Sequence, residues 1–185
     1  DDVKATFPSI PLMIGASGDL TTQRPGNGGF RIGSYSSQDE AAAEAVALAH
    51  GMAFKHRMYN TGCAGAKVVC NVGKNPNALK KINKSEILDK LGSVLSSLGG
   101  SMFTGCDLNT TLEDMNYLAS KSPYVLAGIG NRVVNPNHAT AHGVVGSVVA
   151  ALRPDLRGCA TDHQFELLRE KSVVVHGCGS VGSVV

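Results

Sequence analysis

Tryptophan is absent from this 185-residue chain, and the aromatics as a whole reach only 5%. Stacking platforms for single-stranded nucleic acid are therefore not expected. An excess of one charge is lacking too. Seventeen Lys and Arg stand against 15 Asp and Glu, a net charge of +2, which argues against a dedicated nucleic-acid binder. No apolar run approaches the ~18 residues that span a bilayer, so no membrane partner is expected. The five cysteines, Cys63, Cys70, Cys106, Cys159 and Cys178, include no C-x-x-C pair. Zinc and dithiol motifs thus find no support, and reduced thiols in a cytoplasmic protein are the simplest reading. The six histidines form no ligand cluster and no H-E-x-x-H pattern, so no metal site is expected. A phosphate-binding P-loop is excluded as well: Gly62 to Lys67 has the wrong spacing, and no Ser or Thr follows the lysine.

What the chain does have is glycine, 22 residues of it, in clusters rather than at a fixed period. Such clusters mark turns and close backbone approaches. Strand and helix patterns alternate, which predicts an α/β fold. Residues 10–15 form a short apolar strand pattern, and 16–29 have the composition of a loop. Ser37 and Glu40 make a capping box. The helix they open carries Ala41, Ala45, Leu48, Ala49 and Met52 at helical spacing, to about Lys55. Residues 67–72 are β-branched and predict a buried strand. A second helix from Ser85 bears the stripe Ile87, Leu88, Leu91, Val94, Leu95 and Leu98, ended by Gly99 and Gly100. Residues 101–104 and 124–129 are strand candidates, and Thr110 with Glu113 predicts another helix start. A helix after Asn137 ends at Pro154, and 172–176 form a valine-rich strand pattern. The chain starts at Asp1 and stops just after a glycine-rich turn, so it is expected to be a piece of a longer protein.

Three places carry chemistry. The strand pattern at 172–176 runs into Gly177, Gly179 and Gly182, a G-x-G-x-x-G spacing. In a dinucleotide site the first glycine makes the turn, the second admits the pyrophosphate and the third packs helix on strand. By itself the pattern is equally a glycine-rich turn. Lys55 and Lys67 both sit among core-like residues. A lysine at a helix C-terminus stays charged and can hold a carboxylate. A second, partly buried lysine beside another cation has its pKa lowered and can act as a base. Asp107 lies at a strand end before a helix start, where it serves either as a turn residue or as a proton-transfer carboxylate.

In order along the chain, six segments resemble the Glu/Leu/Phe/Val dehydrogenase family of NAD(P)-dependent amino acid dehydrogenases. Gly28-Gly29-Phe30-Arg31 resembles its G-G-x-R segment, and Gly51-Met52-Ala53-Phe54-Lys55 its G-M-T-Y-K helix end. Cys63-Ala64-Gly65-Ala66-Lys67 resembles its G-G-G-K or G-G-A-K segment, at the family's own twelve-residue interval from Lys55. Thr104 to Leu108 resembles T-x-x-D-V, Thr140 to Val144 resembles T-A-x-G-V, and the glycine motif follows in place.

The resemblance, nearest to the leucine and phenylalanine branch, implies a substrate and oligomerisation domain over 1–150. It implies a linker and the first strand and turn of a Rossmann-type NAD domain over 151–185. Carried over by motif, Lys67 and Asp107 are catalytic. Gly28, Gly29 and Lys55 bind substrate, and Thr140, Gly177, Gly179 and Gly182 bind NAD or NADP. The implied reaction is reversible oxidative deamination of a neutral L-amino acid to its 2-oxo acid and ammonia. The implied state of the whole protein is a homo-oligomer. The alternative is an inactive truncated paralogue that serves only as an assembly module. Two positions depart from the family. Ala64 replaces a usual glycine and is expected to tighten the loop, and Asn27 replaces the lysine that glutamate-type members carry before G-G-x-R.

Overall fold

A computed structural model of the chain describes residues 11–75, 77–126, 128–129, 132–152, 168–169 and 171–185. In chain order the elements are β1 (Leu12–Ala16), β2 (Gly26–Gly33), α1 (Gln38–Met58), β3 (Ala64–Asn71), α2 (Ala78–Lys81), α3 (Lys84–Ser97), β4 (Met102–Cys106), α4 (Leu112–Ala119), β5 (Gly128–Ile129), β6 (Arg132–Val133) and α5 (Pro136–Leu152). They divide into two compact units, the first ending at residue 127 and the second beginning at Gly128. α5 lies in the second unit.

In the first unit β3 is buried along its whole length, as a strand covered on both faces must be. The sheet order is β1-β3-β2-β4. β2 runs parallel to both β3 and β4, and β1 runs antiparallel to β3 along the edge. Side chains alternate between the two faces. Ala66, Val68 and Cys70 of β3 join Phe30, Ile32 and Met102 on one face, beneath Ile87, Leu88, Leu91 and Leu95 of α3 and Met115 and Leu118 of α4. Full burial stabilises each large side chain by about 1.5–3 kcal/mol. On the opposite face α1 lies close to the sheet through its buried alanines Ala41, Ala45 and Ala49. A Cβ on Gly65 would overlap the carbonyl oxygen of Ala49, so this close approach needs glycine.

Several expectations shift. The stretch 16–29 is not all loop: from Gly26 the chain is strand β2. Glycine is a poor strand former, but ladder bonds on both edges override that preference here. Ala64 likewise begins β3 rather than tightening a loop. Ser37 caps α1 as expected, while the Glu40 carboxylate turns to Ser36 instead of Ser37. The second capping box forms one residue later, between Thr111 and Asp114, because Thr110 is engaged elsewhere. Of the candidate strand 124–129, Val125 makes a single parallel bridge to Thr104, and Gly128–Ile129 pairs with Arg132–Val133.

In the second unit α5 opens with Pro136 at its first position, where the missing N–H costs no intrahelical bond. Ala141 and Val149 are buried, whereas Val144 and Leu152 are exposed. Residues 172–176 carry no ladder bonds, and Val174 is 91% exposed. The expected strand is thus not formed, because no partner strand lies beside it among the described residues. No helix among the described residues is long and apolar enough to cross a membrane.

Candidate active site

Two adjacent glycines of β2 let its neighbouring strands close in beside the site. A Cβ on Gly28 would overlap the Ala66 carbonyl oxygen, and a Cβ on Gly29 would lie 2.7 Å from Cys106 O and 2.8 Å from the Asp107 Cβ. Without side chains, β3 and the end of β4 close in from both sides. The loop after β4 is then stitched to β2. The Ile32 N–H donates to Leu108 O (3.1 Å), Asn109 Nδ2 donates to Ile32 O (2.7 Å), and Thr110 Oγ1 donates to Phe30 O (2.9 Å). The Asp107 N–H in turn donates to Thr110 Oγ1 (2.8 Å). Asp107 is therefore held by backbone and side-chain bonds before its carboxylate meets any cation.

That carboxylate faces Lys67 and Arg31. Lys67 Nζ lies 2.7 Å from Asp107 Oδ2, and Arg31 Nε donates to the same oxygen at 2.8 Å. Arg31 NH1 also donates to Glu44 Oε1 of α1 at 2.6 Å. The Lys67 side chain is 7% exposed and that of Asp107 24%. Burial disfavours the Lys67 cation and, with the charges of Arg31 and Lys55, outweighs the attraction of Asp107, so its pKa falls below the usual lysine value. Burial also opposes the Asp107 anion. The hydrogen bonds from Lys67 and Arg31 outweigh it and hold the carboxyl below its ordinary value. Burial pushes the Cys70 thiol up to about 12 and raises Cys106 as well, so neither is a competing nucleophile.

Lys55 stands exposed in the last turn of α1. Its neighbour His56 anchors that helix end: Nε2 lies 3.1 Å from the Asn27 carbonyl and Nδ1 2.7 Å from Thr61 Oγ1. Asn27 is a strand residue paired with Gly65 and Phe103, and alternation puts it on the face of Gly29 and Arg31. The loop reading of 16–29 therefore does not hold for Asn27.

The structure thus gathers Gly28, Gly29, Lys67 and Asp107 at one place, with Lys55 near enough to act through its charge. Sequence reasoning gave no role to Arg31, although it closes the G-G-x-R segment. Glu44 left a fainter signal, its place directly before the buried Ala45. Thr140, in α5 of the second unit, donates its hydroxyl to Pro136 O (2.7 Å). Gly177 has φ +101°, and a Cβ on Gly182 would overlap the Gly177 carbonyl oxygen. After them the Ser183 N–H donates to Gly179 O (3.0 Å) and the Val185 N–H to Val181 O (3.2 Å). This is a tight glycine turn leading into helical bonding. No group of three His, Cys, Asp or Glu suited to a metal occurs among the described residues.

No family model matches the chain. Leucine dehydrogenase of Bacillus subtilis (strain 168) is 31% identical over 164 residues, covering 87% of this chain and 42% of that enzyme. The crystal structure of L-tryptophan dehydrogenase from Nostoc punctiforme superposes with a TM-score of 0.63 at 26% identity, over 95% of this chain and 45% of that one. The hetero-hexameric glutamate dehydrogenase of Thermus thermophilus, in its leucine-bound form, shares the fold with a TM-score of 0.62 at 19% identity, over 94% of this chain and 45% of that one. The chain therefore spans less than half the length of the proteins it matches. Along most of its length the chain is thus similar in sequence to part of the leucine dehydrogenase and in fold to part of the tryptophan and glutamate dehydrogenases.

Proposed function

We propose that the chain carries the substrate-handling residues of an NAD(P)-dependent dehydrogenase that reversibly deaminates a neutral L-amino acid to its 2-oxo acid and ammonia. The observation that carries this reading is the Lys67–Asp107 pair, 2.7 Å apart, with the Lys67 pKa lowered by burial and by its cationic neighbours. Lys55 holds the substrate α-carboxylate, helped by the flexibility of an exposed helix-end lysine. Gly28 and Gly29 present backbone to the substrate where a side chain would block it.

Once the substrate's Cα has lost its hydride and become an iminium carbon, neutral Lys67 takes a proton from the water that adds there, and ammonia then leaves. Asp107 receives and returns the proton of the amino nitrogen as ammonia forms, and stays ionised between turnovers because Lys67 and Arg31 hold it. The turn at Gly177, Gly179 and Gly182 fits a dinucleotide, since its positive φ and its glycine-only approach leave backbone open to a pyrophosphate. Those glycines would hold NAD or NADP, with Thr140 near the nicotinamide, and the cofactor when bound supplies the hydride acceptor.

In this reading residues 1–150 are the substrate and oligomerisation domain, and 151–185 begin the cofactor domain. Edge strand β1 pairs only with β3 among the described residues. Its free edge offers a surface for self-association, in keeping with the hexameric glutamate dehydrogenase of the same fold. The test is NAD(P)H formation at 340 nm by the full-length protein with leucine, valine, phenylalanine, tryptophan and glutamate. Turnover of a neutral amino acid supports the reading, and no turnover of any amino acid with either cofactor refutes it.

A further inference from the structure

We propose that Arg31, braced by Glu44, is a positioning residue for the deamination: it shares one oxygen of Asp107 with Lys67, so the carboxylate stays fixed and neutralised when the lysine gives up its proton. This rests on the functional reading above, and gives that site a third member with its own support.

The geometry is specific. Arg31 Nε and Lys67 Nζ reach the same oxygen, Oδ2, at 2.8 and 2.7 Å, from adjacent strands. Arg31 also reaches Glu44 at 2.6 Å, and Tyr35 lies near enough for its phenol to interact electrostatically with the guanidinium. A guanidinium is a rigid planar fork that holds two carboxylates in a fixed geometry, whereas a lysine ammonium is a rotatable point charge. Arg31 is therefore fixed between α1 and the loop after β4.

The electrostatics give the arrangement a purpose. A base lysine must be neutral, yet a lone lysine–aspartate pair holds its proton tightly, because losing it leaves a half-buried carboxylate unpaired. Arginine is permanently charged. With Arg31 on the same oxygen, Asp107 keeps a cation whichever state Lys67 adopts, and the Arg31 charge itself favours neutral Lys67. The groups facing Lys67 are Asp107 after β4, Arg31 on β2 and the charge of Lys55 on α1. Behind Arg31 stand Glu44 and Tyr35.

The experiment uses the full-length protein and the Arg31→Met, Arg31→Lys and Glu44→Gln variants. Lys67 is labelled with trinitrobenzenesulfonate as a function of pH, and the site is quantified by mass spectrometry. In Arg31→Met the labelling curve should move to higher pH, so that labelling at pH 8 falls by at least roughly threefold, following the loss of neutral amine. Glu44→Gln keeps an acceptor oxygen but removes an anion, leaving the Arg31 charge less offset, so its curve should move to lower pH; it serves if Arg31→Met does not fold. Arg31→Lys keeps a charge but loses the fork, so Lys67 labelling should stay closer to wild type while kcat falls. For Arg31→Met, kcat at pH 8 should drop by roughly tenfold or more with little change in KM, as expected when transition-state positioning is lost. Lys67 labelling at wild-type pH in both Arg31→Met and Glu44→Gln would overturn the proposal. A labelling shift in a protein that turns over no amino acid would uphold the Arg31–Asp107–Lys67 coupling and refute the deamination reading instead.

Discussion

Lys67 and Asp107 meet at 2.7 Å although one is a β3 residue and the other lies beyond β4. They are brought together by β2, which runs between those strands and presents only glycine at the point of closest approach. The consequence is a lysine that is almost wholly buried, beside a carboxylate that keeps partial access to solvent.

This pair sets the dependence of stability on pH, with opposite signs for its members. The Asp107 pKa is lowered in the folded state from 3.8, so its stabilisation is present above that value and is lost as the pH falls through the folded value. The Lys67 pKa is lowered from 10.5, so above the folded value the unfolded chain binds more protons and stability rises with pH towards 10.5. Urea unfolding should therefore show Asp107→Asn less stable than wild type at pH 7, with the gap narrowing below pH 3.8. A constant gap across that range would show that the Asp107 charge is not what Lys67 and Arg31 stabilise.

Gly29→Ala should destabilise the fold by about 1–3 kcal/mol, the usual cost of overpacking, and should reduce turnover more than stability by displacing Asp107. Gly28→Ala should be worse, since its methyl would lie 1.5 Å from the Ala66 carbonyl oxygen, against 2.7 Å from the nearest atom at Gly29. Gly51→Ala is the control. It sits in α1 with open space around its Cβ, and alanine there should stabilise by roughly 0.5–1 kcal/mol. Thermal melts of the three variants rank them directly, and an equal loss at Gly51 and Gly29 would contradict the close-approach argument.

The parts of this arrangement that were legible in the sequence are those governed by local rules. The alanine stripe of α1 and the leucine stripe of α3 follow from helical period alone, and the buried run of β3 from its β-branched residues. β2 was hidden because Gly26, Gly28 and Gly29 look like a turn when read locally, and only the flanking strands make them a strand. Thr110 looked like a helix cap, but its hydroxyl is taken by Phe30 and Asp107, which moves the cap to Thr111. Lys67 and Asp107 were visible as motif residues, while the Arg31–Glu44 ion pair joins two different elements and has no local signature. Residues 172–176 have the composition of a strand, and composition does not supply the neighbour that a ladder requires.

Asn27 sets an expectation for substrate class. It shares a sheet face with Arg31 and lies where glutamate-type relatives place a lysine. A substrate carboxylate buried there without a cation would lose on the order of 3–5 kcal/mol, or roughly 10²-fold or more in kcat/KM. Among leucine, valine, phenylalanine, tryptophan and glutamate, glutamate should be the poorest substrate of the full-length protein. Asn27→Lys should raise kcat/KM for glutamate relative to leucine. A wild-type preference for glutamate would require another cation near the substrate side chain.

The account rests most heavily on neutral Lys67 acting as the base. The most direct measurement is kcat against pH for the full-length protein with a neutral L-amino acid and saturating NAD, for wild type and Lys67→Ala, with circular dichroism to check the fold. The predicted result is a wild-type rate that rises with pH through a midpoint below 10.5, the ordinary lysine value. Lys67→Ala should fold normally and lose roughly 10²–10⁴-fold in kcat, the range associated with general acid–base catalysis. A folded Lys67→Ala protein with the wild-type rate and pH profile would contradict the account.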